Sequence, residues 1–386
     1  MIILFWTSLI ILCYTYIGYG LVIGCLAKLR KTHALCDKTS HNASLPSVSV
    51  LIPAYNEADI IEKKIRNTLD VNYPKNKLSV WVISDGSTDE TPDIVSRYDE
   101  IQLLHQDGRG GKIGAVNRAM SFITSDITIS TDANTMVNEA AILNLVRHFQ
   151  NPEVAAVSGE KRIRTQQKDQ AAASGEGLYW RYESTLKRWD AAVNTLVGAA
   201  GELIAYRTKL FTPIPENTII EDFYMTMKFC EKGFRVAYEP DAYAEEEPSA
   251  SVKEELKRKI RICAGGIQAI LALPGLLNVF QHRLLTLQYL SHRVFRWTLA
   301  PIALLTLLCS SLILASQGPL FMTAAVLQIL FYTAAIAGFY LKRKKTKVRI
   351  MHVPFYFCMM NYAVYAGFAR LIMGKQTAIW EKAMRR

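Results

Sequence analysis

Between residues 48 and 149 the chain repeats one pattern four times: a short β-branched apolar run, a break of polar or glycine residues, then a helical stretch. Val48, Val50 and Ile52 form the first run, which Pro53 is expected to stop. Ala54-Tyr55-Asn56-Glu57 then leads into a helix with Ile61, Ile65 and Leu69 on one face. The second run, 78–84, ends in Asp85-Gly86-Ser87-Thr88-Asp89 before a helical stretch at 92–98. The third, 101–104, passes through Asp107-Gly108-Arg109-Gly110-Gly111 into a helix at 112–122, and the fourth, 127–130, breaks at Thr131-Asp132-Ala133-Asn134 before a helix at 139–149. Strands alternating with helices predict an α/β fold with a mostly parallel central sheet and right-handed crossovers.

In such sheets ligands bind in the crevice outside the carboxyl ends of the strands. Glu57, Asp85, Lys112 and Asp132 all fall just past those ends, so three carboxylates and a lysine are expected around one cleft. Singly, an Asp-Gly pair is a turn signal and an Asp before a helix is an N-cap. Repeated on four successive strand ends, they indicate a binding site. The glycine-rich loop is not a Walker A loop, because Gly111-Lys112 is followed by Ile113 and the required earlier glycine falls at Gln106. Nor is it a dinucleotide fingerprint, which belongs in the first strand-to-helix turn. A flexible loop at a helix N-terminus with a lysine beside it suits an anion such as a diphosphate.

The two ends of the chain are almost purely apolar. Residues 2–26 carry no formal charge and match the ~20 apolar residues of a bilayer helix. The cations Lys28, Arg30 and Lys31 follow this run, unlike the order in a cleavable signal peptide, and place the succeeding residues in the cytoplasm. Further apolar runs occupy 298–315, 320–341 and 353–373; the turn Gln317-Gly318-Pro319 makes the first two a hairpin returning to the cytoplasmic run Lys342, Arg343, Lys344, Lys345, Lys347 and Arg349. The last run is expected to be re-entrant or interfacial, which keeps the basic tail 374–386 inside. The expected organisation is thus an anchor at 1–27, a cytoplasmic domain at 32–281 with interface helices near 253–297, and membrane helices at 298–373.

The net charge of +11 is concentrated beside these apolar runs, where positive-inside topology explains it, and nucleic acid is discounted as a partner. The 7 cysteines, among them Cys36, form no Cys-x-x-Cys pair, so neither a disulfide framework nor a zinc site is expected. For the same compartment reason the sequon Asn42-Ala43-Ser44 is taken as accidental.

The ordered motifs Pro53-Ala54-Tyr55-Asn56-Glu57, Asp85-Gly86-Ser87-Thr88-Asp89, Gly111-Lys112 with Asn117, Asp132-Ala133-Asn134 and Glu221-Asp222 resemble those of the family 2 glycosyltransferases, the group that includes bacterial cellulose, hyaluronan and poly-N-acetylglucosamine synthases. The resemblance implies the GT-A fold and inverting transfer from a nucleotide diphosphate sugar, commonly a UDP-sugar, to a polysaccharide or lipid-linked acceptor. It implies an inner-membrane, multi-pass enzyme with a cytoplasmic catalytic domain and leaves room for other cell-envelope assembly subunits. By the same resemblance Tyr55, Glu57 and Asp85 hold the nucleoside, Pro53 belongs with them to the donor-binding side, and Lys112 lies near the ribose or diphosphate. Asp132 matches the first Asp of the family's Asp-x-Asp metal motif, for Mg²⁺ or Mn²⁺, with Asn134 replacing the second. An Asn carbonyl offers oxygen but no charge, so weaker metal binding is expected. The pair Glu221-Asp222 begins a periodic helix, where an ordinary acidic first turn would also sit. The resemblance makes Asp222 the general base beside Glu221.

Gly201-Glu202-Leu203-Ile204-Ala205-Tyr206-Arg207 looks like the family segment bordering the acceptor, and Trp180 and Trp189 offer stacking faces, although packing explains either Trp equally well. At 258–262 processive members carry Gln-x-x-Arg-Trp. Here Arg258 and Ile262 replace the Gln and Trp, while Arg261 keeps the cation that meets the diphosphate; Arg258 is grouped with it on the donor side. Transfer survives such a change, whereas processive extension loses its aromatic support. Residues 263–280 read as an interface helix leading to the bilayer. Two alternatives stand beside a polysaccharide synthase: a single-addition transferase acting on a lipid or lipid-linked oligosaccharide, and an inactive membrane scaffold, which would need none of Asp85, Asp132, Asp222 and Arg261.

Overall fold

The computed structural model describes residues 1–30, 45–164, 173–248, 251–343 and 349–378. Lys31, Cys36, the sequon at Asn42, the lysines 344, 345 and 347 and most of the basic tail lie outside them. The chain divides into two compact units, one comprising Met1–Leu29, Thr165–Trp189 and Ser251–Gln376, the other Arg30–Arg164, Asp190–Ala250 and Thr377–Arg386.

The second unit is the α/β domain, built on one sheet. Its strands are β1 Val48–Ala54, β2 Leu78–Asp85, β3 Ile101–Gln106, β4 Ile127–Thr131, β5 Thr135–Val137, β6 Val154–Ile163, β7 Leu203–Arg207 and β8 Arg235–Glu246, in the order β3-β2-β1-β4-β7-β6-β8-β5. The four strands read from the sequence pair in parallel, β1 against β2 and β4, and β2 against β3. Beyond them β7 runs antiparallel to both β4 and β6, a reversal that no local sequence signal announced.

The first strand does not stop at Pro53. It continues to Ala54, with Pro53 opposite Ile83 of β2. Pairing with β4 ends at Leu51, so the strand has an open flank by Pro53, where a residue without an N–H sacrifices no ladder bond. Successive side chains of β1 serve opposite faces of the sheet. Val50 and Ile52 pack with Ile61 and Ile65 of the helix Ala58–Leu69, whereas Leu51 and Ile83 pack with Ala115, Val116 and Ala119 of the helix Gly111–Met120. Full burial of such a side chain is worth about 1.5–3 kcal/mol, so both helices are held over the strand ends by the alternation of β1. The second predicted helix is short, Thr91–Val95, and the fourth is Ala141–Val146 followed by a 3-10 turn, Arg147–Gln150.

The other unit is helical. Three of its helices are long and apolar enough to cross a membrane: Ile2–Leu29, Leu299–Gln317 and Pro319–Leu341, the only such helices among the described residues. Phe5 and Leu12 pack against Ala300, Ala303, Leu307 and Leu314, and Ser8 shares a hydrogen bond with Thr306 at 2.6 Å. The last apolar run is a continuous helix, Arg349–Ile372, seated on the helix Val252–Ala272. The two backbones approach so closely at Gly367 that a Cβ there would stand 2.8 Å from the Ile260 carbonyl. Trp189 packs on Gly24, and Lys259 lies 5.0 Å from the ring of Trp180, so both tryptophans have packing roles inside this unit.

Candidate active site

The loop after β1 carries a backbone strain that its neighbours hold in place. Asn56 has φ +53°, a left-handed conformation that a non-glycine residue adopts at a cost. The Asn56 N–H donates to Ser87 Oγ at 3.1 Å, its side-chain oxygen accepts from Thr88 N at 2.8 Å, Glu57 N–H donates to Thr91 Oγ1 at 2.9 Å, and Ala58 N–H donates to Asp89 at 3.1 Å. Most of the second motif therefore stitches the first motif down and supplies acceptors for the start of the helix Ala58–Leu69.

Asp85 faces the cleft, yet it is only 4% exposed. Its carboxylate accepts from Gly111 N at 2.6 Å, Gly110 N at 3.1 Å and Gln106 Nε2 at 2.7 Å. A negative charge at the first turn of the helix Gly111–Met120 satisfies backbone donors that have no partner within the helix. Gly86, at φ +70°, permits this approach, because a Cβ there would meet the Arg109 backbone at 3.1 Å. Arg109 in turn places its guanidinium 3.7 Å from the centre of the Tyr55 ring. It lines the cleft, although the sequence marked it only as part of a glycine-rich loop. Exposure of a cation beside an aromatic became apparent only once the two loops were side by side.

Lys112 stands at the centre of the site. Its ammonium is 2.8 Å from Asp132 Oδ1 and 2.7 Å from Glu221 Oε1. Burial alone would lower its pKa, but the two carboxylates outweigh burial and raise it, so the group is a fixed cation. Asp132 follows β4, and its carbonyl accepts from both the N–H and the hydroxyl of Thr135, which closes the Asp132-Ala133-Asn134 turn.

Pro53, Tyr55, Glu57, Asp85, Lys112, Asp132 and Asn134 line one cleft, together with Arg109. Glu221 joins it through its ion pair with Lys112. Asp222 begins the helix Glu221–Glu231, accepts from Phe223 N–H at 2.8 Å and lies against Gly201, where an added Cβ would come within 2.9 Å of Oδ2. Burial first, and then the charge of Glu221, raise the Asp222 carboxyl from 3.8 to about 7. The folded protein thus keeps a proton that the unfolded chain has already released, and the contribution of this group to stability falls as pH rises from about 4 to about 7. Arg207 spends its guanidinium on the carbonyls of Phe149, Asn151 and Val154, a structural use. Arg258 and Arg261 belong to the helix Val252–Ala272 of the other unit, where Arg258 pairs with Glu255 at 3.0 Å.

No cluster of three or more His, Cys, Asp or Glu side chains able to hold a metal exists among the described residues. Asp132 and Asn134 nevertheless fit a divalent ion whose remaining ligands are phosphate oxygens and water, the usual arrangement for Mg²⁺. The seating of the Lys112 ammonium between two carboxylates indicates a strong local demand for positive charge.

The order of elements, with a mostly parallel sheet and its polar residues gathered past the strand ends, defines a domain of the GT-A fold. Residues 49–212 match the profile of Glycosyl transferase family 2. A β-monoglucosyldiacylglycerol synthase of Nostoc sp. is 34% identical over 170 residues, which cover 42% of this chain and 34% of that protein. A poly-β-1,6-N-acetyl-D-glucosamine synthase of Staphylococcus aureus is 26% identical over 59% of this chain and 56% of its own length. The chain therefore aligns with about a third to a little over half of these curated relatives. The fold of a mannosyltransferase from Pyrobaculum calidifontis, solved in complex with GDP-Man and Mn²⁺, superposes over 96% of this chain and 99% of its own, with a TM-score of 0.70 at 22% identity.

Proposed function

We propose that the chain is a membrane-anchored, inverting glycosyltransferase that moves a sugar from a nucleotide diphosphate donor to a lipid or polysaccharide acceptor at the cytoplasmic face of the cell membrane. The observation that carries this reading is the convergence of Glu57, Asp85, Lys112, Asp132 and Glu221 on one cleft past the strand ends. The scaffold alternative leaves a buried ammonium between two carboxylates without a use.

Tyr55, Glu57 and Asp85 border the nucleoside, with Asp85 acting also through the Gly110-Gly111 turn that it holds. Lys112 meets the diphosphate, and Asp132 and Asn134 would hold Mg²⁺ or Mn²⁺. When bound, that ion offsets the charge that grows on the departing nucleoside diphosphate. Asp222 accepts the proton of the acceptor hydroxyl as its oxygen attacks the anomeric carbon; the bond to the diphosphate breaks on the opposite face, and the configuration inverts. Gly201 leaves Asp222 the space it occupies, since a Cβ there would come within 2.9 Å of its Oδ2. Because the base form of Asp222 predominates only above about pH 7, transfer by the free enzyme is expected to fall about tenfold per pH unit below that value. A kcat/KM profile flat from pH 5 to 8 would remove Asp222 from this role.

Single addition to a lipid is the second reading. Ile262 offers no aromatic face for a growing glycan, and a relative at 34% identity is named for a diacylglycerol product. One screen of radiolabelled UDP- and GDP-sugars against isolated membranes tests both readings. Label in an organic-extractable lipid supports single addition, whereas label in a long insoluble polymer supports a synthase. No transfer or hydrolysis of any donor would leave the scaffold reading in possession.

A further inference from the structure

The helix Ala58–Leu69 turns four residues inward, Ile61, Lys64, Ile65 and Thr68. Lys64 occupies a stripe reserved by its spacing for apolar side chains, and it is 0% exposed while its neighbour Lys63 faces solvent. Taking an ammonium out of water costs several kcal/mol unless its hydrogens are well placed. Here Nζ donates to Thr131 Oγ1 at 2.9 Å and to the Thr135 carbonyl at 2.7 Å, so it grips the two ends of the turn that presents Asp132 and Asn134. The contacts continue beyond that turn. Thr131 donates its own hydroxyl to the Glu202 carbonyl at 2.9 Å, and the residue before Glu202 is Gly201, on which Asp222 rests.

We propose that Lys64 is a positioning residue that sets the metal-binding turn and the seat of Asp222 in one register, without touching donor or acceptor. The inference rests on the functional reading above. A hydrophobic side chain of similar length would fill the same space, but it would leave the Thr131 hydroxyl and the Thr135 carbonyl without this donor. The turn 131–135 would then keep the Thr131–Glu202 bond and its flanking strand pairs but lose the one donor that ties its two ends together. Loss of such outer-sphere partners typically weakens metal affinity or activity about 10- to 100-fold.

The test uses the full-length protein in detergent or nanodiscs and reads Mn²⁺ binding by electron paramagnetic resonance with UDP or GDP present, alongside kcat, KM and thermal melting. Lys64→Met is expected to weaken Mn²⁺ binding in the presence of the nucleotide about tenfold and to lower kcat by a similar factor. Thr131→Val should reproduce the effect, and Thr131→Ser, which keeps the hydroxyl, should restore binding close to that of the parent. The Thr131 pair decides the matter if Lys64→Met does not fold. A folded Lys64→Met protein with a lower melting temperature but unaltered Mn²⁺ affinity and kcat would reduce Lys64 to a packing residue and overturn the proposal. So would Thr131→Val behaving as Thr131→Ser does. If the parent protein itself binds neither Mn²⁺ nor nucleotide and transfers no sugar, the functional reading fails, an outcome distinct from a defect confined to the variants.

Discussion

Asp222→Asn is expected to lower sugar transfer by about 10³-fold or more, equivalent to about 4 kcal/mol of barrier, while donor affinity changes by less than about threefold. The substitution is nearly isosteric and keeps the oxygen that accepts from Phe223 N–H, so the start of the helix Glu221–Glu231 is preserved. It removes the ability to take a proton from the acceptor. It also removes a charge that the fold suppresses: the raised carboxyl disfavours the folded state above about pH 7, so the Asn variant should melt higher than the parent at pH 8, with the difference vanishing near pH 4. Single-turnover transfer, donor titration and thermal melting at the two pH values check all three effects. Near-parental transfer by the Asn variant would exclude Asp222 as the base and shift attention to Glu221.

The second large effect is expected at Asp132. Asp132→Ala should bring transfer below about one thousandth of the parental rate, and excess chelator should do the same to the parent, because both withdraw the ion that offsets charge on the leaving diphosphate. The variant also leaves Lys112 paired with Glu221 alone, so nucleotide affinity should change along with rate, unlike at Asp222. Asn134→Asp is the complementary change: it restores a second carboxylate and should tighten Mn²⁺ binding, read by isothermal titration in the presence of nucleotide. Full parental activity in chelator would take the metal out of the mechanism.

These two carboxylates were visible in different ways. Asp132 lay just past a β-branched run, where strand-and-loop periodicity alone marked it. Asp222 lay in an acidic first helical turn, indistinguishable by local pattern from a common capping arrangement, and only the order of the other motifs singled it out. In the second motif only Asp85 faces the cleft: Ser87 and Asp89 accept from the backbone N–H groups of Asn56 and Ala58, and the Thr88 N–H donates to the Asn56 side-chain oxygen. Short polar side chains serve either purpose, and which one they serve depends on what lies across the sheet edge. Pro53 was misread as a strand end because propriety of a missing N–H depends on whether a neighbouring strand needs it, which is a property of the sheet and not of the residue.

The alternation of apolar runs with helical stretches determined by itself that the central domain would be α/β, that polar strand ends would face one cleft, and that both termini would be apolar helices, because burial of periodic side chains needs only local spacing to be read. The antiparallel insertion of β7, the Lys112 ammonium seated between Asp132 and Glu221, the cation of Arg109 over Tyr55 and the burial of Lys64 beneath the 131–135 turn were decided only by the tertiary structure. Each joins residues whose separation along the chain says nothing of their distance in space, and electrostatic and hydrogen-bonding partners are chosen at distances of about 3 Å.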